Sequence, residues 1–231
     1  MRDVIAKAFF QILWIRKALN LLEHFDVMQN NPVFSAITGR RSVRRYTSEP
    51  LSKEEIEDII TAGRYAPSAS NVQPWRFIVI TNKDLIRELS WATQKAMTRL
   101  LRYSAVLKMF SKELRNPASI RGLKHYADNK EDVIFHDAPV LVFVVSKRGP
   151  FNNESCACAV ENMMLAAHSM GLGSCWIGFV RFLRRSSAAF KKIGVPPKHR
   201  VVAAVVFGHP AQGSLVAPMR KIEAGMLKWI E

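Results

Sequence analysis

The chain has 231 residues, 48% hydrophobic and 23% charged, a globular composition that excludes a disordered protein. Its 34 basic residues outweigh 19 acidic ones for a net charge of +15, which permits nucleic-acid, membrane-surface or anionic-ligand binding without choosing among them. Three cysteines are too few for a disulfide framework, and no apolar run reaches the roughly 20 residues that cross a bilayer, so one domain (at most two small ones) in a reducing, cytoplasmic compartment is expected.

Residues 3–25 read as one helix, with apolar side chains near the 3.6 period and a narrow polar stripe opposite. It packs on the body or on a partner subunit, or it is an interfacial membrane helix, or the working start is Met28 and the upstream piece is extraneous. Asn30-Asn31-Pro32 breaks the chain. Val33 to Thr38 is a short predicted helix before a basic cluster. Ser52 with Glu55 three residues on has capping-box spacing, and the helix it starts runs to about Tyr65.

Pro67 to Pro74 is a loop of Ser, Asn and Pro, and Arg76 to Thr81 is a strand by composition. A helix is predicted from Asp84 to about Leu114, broken at most once, then an irregular basic stretch from Arg115 to Asp132. Ala138 to Ser146 is a near-continuous apolar run, the pattern of a central strand covered on both faces. Ser155 to Met170 is a helix with small residues on one side, closed by Gly171. A short strand is expected within Gly171 to Gly178. A helix follows over Arg184 to Ile193, a second buried strand over Arg200 to Gly208, then an extended and weakly helical end. Strands and helices mix without a βαβ repeat, so the class is α+β.

Three segments carry candidate chemistry. Arg40-Arg41-Ser42-Val43-Arg44-Arg45 offers guanidinium forks and a hydroxyl for phosphate or carboxylate, or is a solvated basic turn. Pro67-Ser68-Ala69-Ser70-Asn71-Val72-Gln73-Pro74-Trp75 is a stiff amide-bearing loop suited to a flat heteroaromatic ligand, or a plain surface turn. Gly171-Leu172-Gly173-Ser174-Cys175-Trp176-Ile177-Gly178 follows a helix rather than a strand. That context is wrong for a dinucleotide fingerprint, so its glycines let the backbone come close to something or simply turn it. Cys156 and Cys158 are too close for CxxC spacing, and no second Cys/His pair completes a metal site. No histidine is assigned a catalytic role.

The order, spacing and wording of these segments, with Phe207-Gly208-His209-Pro210 and Arg220-Lys221, resemble the nitroreductase family of FMN-dependent oxidoreductases from about Val33 to Glu223. The resemblance implies an antiparallel-dominated central sheet flanked by helices, in an intertwined homodimer with FMN at the interface. Residues 1–30 are then a helical extension, 31–231 the FMN-binding domain, and 91–132 its variable lid. Arg40 and Ser42, with the backbone of Arg41, would hold the FMN phosphate and ribityl chain. Arg44 would stand at the pyrimidine edge, where a cation stabilises negative charge on the reduced ring. Pro67, Ser68, Ala69 and Asn71 would meet the flavin across the dimer interface. Cys175, Trp176, Ile177 and Gly178 would lie against the ring, and Arg220 would be a second phosphate ligand.

The implied activity is electron transfer from NADH or NADPH through FMN to a small acceptor such as a nitro compound or quinone. Reductive dehalogenation, oxygen-dependent flavin breakdown and a non-enzymatic basic binding protein are the alternatives. No nucleic-acid partner is expected. The basic lid is a solvated helical face, or it attracts an anionic partner: the NADPH 2′-phosphate, an acidic substrate or an acidic electron-carrier protein.

Overall fold

The computed structural model describes residues 30–103, 116–183 and 187–215, with 228 and 230. The helix expected over residues 3–25, the C-terminal segment and Arg220 lie outside the described residues. The chain divides into two compact units, Met1–Arg40 and Arg41–Glu231.

In the first unit, helix α1 spans Pro32–Gly39. Its start follows from local chemistry. The Asn31 side chain accepts from the amides of Val33 and Phe34 at 2.9 and 3.3 Å, and Pro32 occupies a first-turn position where its missing N–H costs nothing.

The second unit opens with a segment of isolated bridges and then α2 (Lys53–Arg64), β1 (Arg76–Ile80), α3 (Lys83–Arg102) and α4 (Pro117–Ala127). β2 (Val140–Lys147), α5 (Asn152–Ser169), β3 (Gly173–Trp176), α6 (Val180–Leu183), α7 (Ser187–Lys192) and β4 (His199–Gly208) complete it. Both halves of the Ser52–Glu55 capping box are formed, at 3.1 and 2.7 Å.

The four strands make one antiparallel sheet in the order β1-β2-β4-β3. The two apolar runs are its centre. Leu141, Phe143 and Val145 of β2 enter a core cluster with Ile86, Leu89 and Met97 of α3. Val140, Val142 and Val144 enter a second cluster with Ile59 and Ile60 of α2 and Val160 and Met163 of α5. The alternation explains why these strands read as unbroken apolar runs: both faces are covered. One irregularity falls between Val144 and Val145, where the β4 partner steps from Ala203 to Val201. The extra residue changes the phase of β4, so that Val201 shares a cluster with Ala204 and Val206.

One expectation is corrected. The stretch from Arg115 to Asp132 contains a regular helix, α4, started by an Asn116 side chain that accepts from Ala118 N–H at 2.9 Å, with Pro117 in the first turn. It buries no residue fully; Leu123, Tyr126 and Ala127 are half-buried against the core, a short stripe set among basic residues. The helix predicted from Asp84 runs to Arg102, with Tyr103 as its C-cap, and the rest of the stretch to Leu114 lies outside the described residues. Among the described residues no helix is long and apolar enough to cross a membrane.

Candidate functional site

Two of the three candidate segments come together in the backbone. The chain after Arg41 runs beside β3, and Ser42 forms a parallel bridge with Ser174. Val43 N–H donates to the Ser174 carbonyl at 2.9 Å. Further on, Thr47 N–H donates to His209 O and Ala211 N–H to Arg45 O, at 2.9 and 3.0 Å, and Tyr46 bridges Pro210. The arginine segment is thus sewn to both β3 and the end of β4. Gly173 makes this possible. A Cβ there would stand 2.9 Å from Cβ, Cγ1 and Cγ2 of Val43, inside contact distance. The glycine-spaced sequence serves the close approach of a protein strand.

The junction opens onto a cavity of about 430 Å³. Arg44 lines it from the arginine segment, and Cys175, Trp176, Ile177 and Gly178 line it from β3 and the turn beyond. A Cβ at Gly178 would meet nothing within 4 Å, so the backbone there faces open space. Ile177 N–H donates to Ala204 O at 2.8 Å, so an amide offered to a ligand from this segment belongs to another residue. Cys175 and Ile177 are buried, while Trp176 is 40% exposed.

The cavity is also lined by residues that sequence reasoning did not select: Tyr126 of α4, Ile134, His136, Phe179 and Arg181. His136 and Asp137 are two successive non-glycine residues with left-handed backbone, φ 61° and 51°. Such strain persists only where the surroundings over-determine it. Here Asp132 does so. Its carboxylate accepts from Ile134 N–H, Phe135 N–H, Asp137 N–H and the Ser90 hydroxyl. Its own carbonyl accepts from His136 N–H at 2.9 Å. The turn places His136 on the cavity, where burial lowers its pKa to about 4, against Asp132, which raises it, and with Arg44, which lowers it. The imidazole is therefore uncharged at neutral pH. Burial likewise pushes the Tyr46 phenol up, with Cys175 adding to the shift. That hydroxyl stays protonated and donates to Val43 O at 2.7 Å.

The model of the nitroreductase family matches residues 37–209, the stretch that carries all three segments. The chain belongs to this family. The nitrobenzene nitroreductase of Ectopseudomonas oleovorans is 30% identical, with 74% of this chain and 84% of that one covered. The NAD(P)H FMN reductase of Bacillus subtilis is 28% identical over 84% of this chain and 72% of its own length. The crystal structure of a Bacteroides fragilis nitroreductase with bound FMN matches with a TM-score of 0.72 at 28% identity, covering 87% of this chain and all of that one.

Within this nitroreductase-family chain, the third segment stands apart from the cavity that holds Arg44. Pro67 leads into a loop whose one-turn helix spans Ala69–Asn71. Ser70, Asn71 and Gln73 are all left-handed, at φ 51°, 53° and 47°. The loop fixes itself. Ser68 carbonyl accepts from Asn71 N–H at 3.0 Å, Ser68 hydroxyl accepts from Gln73 N–H at 3.0 Å, and Asn71 accepts from the Gln73 side-chain amide at 2.9 Å. Ala69 N–H donates to Ser155 Oγ of α5 at 3.3 Å. Its Val72 and Gln73 line a second cavity with Ile60, Arg64, Trp75 and Val79. Arg40 caps α1, its N–H donating to Ala36 O at 3.0 Å. Two sequence features pointed toward the missed residues: Asp132 ahead of a turn, as in an Asx motif, and Arg181 only three positions past the glycine segment.

Proposed function

We propose that the chain is an FMN-dependent oxidoreductase that passes electrons from NADH or NADPH to a small organic acceptor such as a nitro compound or quinone. The observation that carries this reading is the Ser42–Ser174 junction, which sets Arg44 and Gly178 on one cavity in a chain of the nitroreductase family. The donor set fits a flavin. Ile134 and Ile177 offer apolar surface, Gly178 leaves room against the backbone, and Arg44 and the neutral His136 offer polar groups to a heteroaromatic edge. The FMN-bound relative supports the same assignment.

When bound, FMN supplies hydride acceptance at N5 and delivery of the electrons to a second substrate. The protein's own residues bind, orient and tune. Arg40, Ser42 and the Arg41 backbone hold the phosphate and ribityl chain, with Arg220 as a further phosphate ligand. Arg44 stabilises negative charge on the ring, and Cys175 to Gly178 form its floor. Pro67, Ser68, Ala69 and Asn71 reach the flavin of a partner subunit, which accounts for their distance from the Arg44 cavity in one chain. The working assembly is a homodimer of the 31–231 domain, with 1–30 as an extension and 91–132 as a basic lid, in the cytoplasm.

The test is an absorbance spectrum of the purified protein, titrated with FMN and then with NADH or NADPH in the absence of oxygen. A stoichiometric yellow complex that bleaches with the nicotinamide is expected. A preparation that takes up no FMN at saturation removes the proposal. Arg40→Ala should cut FMN occupancy sharply, and sedimentation at micromolar concentration should give a dimer.

A further inference from the structure

The lining of the cavity carries a row of rings that ends in a cation. Tyr126 and Phe179 lie 4.5 Å apart between centroids, tilted by 52°. Phe179 and Phe182 follow at 6.4 Å, nearly parallel at 29°. The guanidinium carbon of Arg181 sits 5.0 Å from the Phe182 ring centre. Stacking on a buried ring pre-orders an otherwise mobile side chain, so less entropy is lost when it takes a ligand.

The charge around this lining is one-sided. Among the described residues, Arg44 and Arg181 are the charged ones lining the cavity, and no Asp or Glu lines it. His136 is neutral. Asp132, the nearest carboxylate on the packed turn, is occupied by its four donors. With Arg44 matched to the flavin ring, Arg181 has no negative partner among the described residues that line the cavity.

We propose that Arg181 is a specificity-determining residue that selects planar aromatic acceptors bearing an anionic substituent, of which a ring carboxylate is the type. Resting on the flavin reading, it adds the acceptor's class. The guest's ring lies along the Tyr126–Phe179 wall, and its carboxylate meets the guanidinium fork of Arg181 in two parallel hydrogen bonds. For a nitro acceptor the chemistry balances as two electrons and two protons. NAD(P)H supplies a hydride, solvent supplies the other proton, one N–O bond breaks, water leaves, and the nitroso compound and NAD(P)+ remain.

The experiment compares 4-nitrobenzoate with its neutral isostere 4-nitrobenzamide on FMN-loaded protein, wild type and Arg181→Gln. The ratio of kcat/KM for carboxylate over amide should fall about tenfold in Arg181→Gln, mainly through KM for the carboxylate, the size of a charge-assisted contact at a partly exposed site. Arg181→Lys should keep part of the preference, and rising salt should erode it in wild type. Benzoate and benzamide, titrated against the flavin spectrum with no turnover, should show the same loss in the dissociation constant of benzoate alone.

A ratio equal in wild type and Arg181→Gln overturns the proposal and leaves the flavin reading standing. Protein that binds FMN and is bleached by NAD(P)H, yet loses the Arg181 effect when reduced chemically with no nicotinamide present, assigns Arg181 to the donor's phosphate and also overturns it. Failure of wild type to bind FMN at all overturns both.

Discussion

Replacing Gly173 with Ala tests the junction on which the site is built. The new methyl group would stand 2.9 Å from three atoms of Val43. Val43 is 1% exposed and branched at Cβ, so it cannot swing aside. The arginine segment must move instead, at an overpacking cost of about 1–3 kcal/mol. The Val43–Ser174 hydrogen bond, 2.9 Å in the native chain, is strained with it, for about another 1 kcal/mol. Urea unfolding at fixed protein concentration should therefore give a loss of about 2–4 kcal/mol for Gly173→Ala. Val43→Ala alone removes two methyl groups, a loss of at least about 1.6 kcal/mol. The double variant removes two of the three close atoms and leaves the Val43 Cβ at 2.9 Å, so the two losses should fall short of additivity by up to about 1 kcal/mol. FMN affinity should follow the same pattern, weak in Gly173→Ala and partly restored in the double variant. Additive losses, or a Gly173→Ala protein as stable as wild type, would refute the close approach as the reason for this glycine.

Asp132→Ala removes the acceptor of four hydrogen bonds and should cost about 2 kcal/mol or more in urea unfolding, with loss of the left-handed pair His136–Asp137. His136 gives a pH signature. Its folded pKa of about 4 lies below its unfolded value near 6.5, so the unfolded chain binds the extra proton between them. Stability should fall as pH drops from about 6.5 to about 4, and His136→Asn should flatten that part of the curve; an unchanged slope would place His136 outside a buried site. Asp137 shifts upward by burial, its charge disfavoured, which is why the comparison is made at constant Asp137. Ser52→Ala breaks the capping box and should lower stability by about 1 kcal/mol.

What the sequence revealed and what it hid have separate physical causes. β2 and β4 were legible because a strand covered on both faces must be apolar at nearly every position. Ser52 and Glu55 were legible because a cap is a local chemical requirement. α4 was not: its half-buried stripe of Leu123, Tyr126 and Ala127 is short and set among basic residues, and its start lay in Asn116-Pro117, a two-residue cue. Gly173 announced a close approach but could not name Val43, 130 positions earlier, as the thing approached. His136 was passed over for the same reason. Its neutrality comes from burial and from Arg44, both products of folding, and its aim comes from a carboxylate whose donors lie on α3 and on the turn itself.

The misstep in β4 opposite Val144 and Val145 reaches further than its own two residues. A uniform ladder can slide by two positions and still send each side chain to its proper layer. Here β4 alone changes phase, so residues of the same parity in its two stretches go to opposite layers. β3 is hitched to Val205–Gly208, beyond the misstep, so the cavity floor rests on one phase of its neighbouring strand while the other end of that strand serves the opposite one.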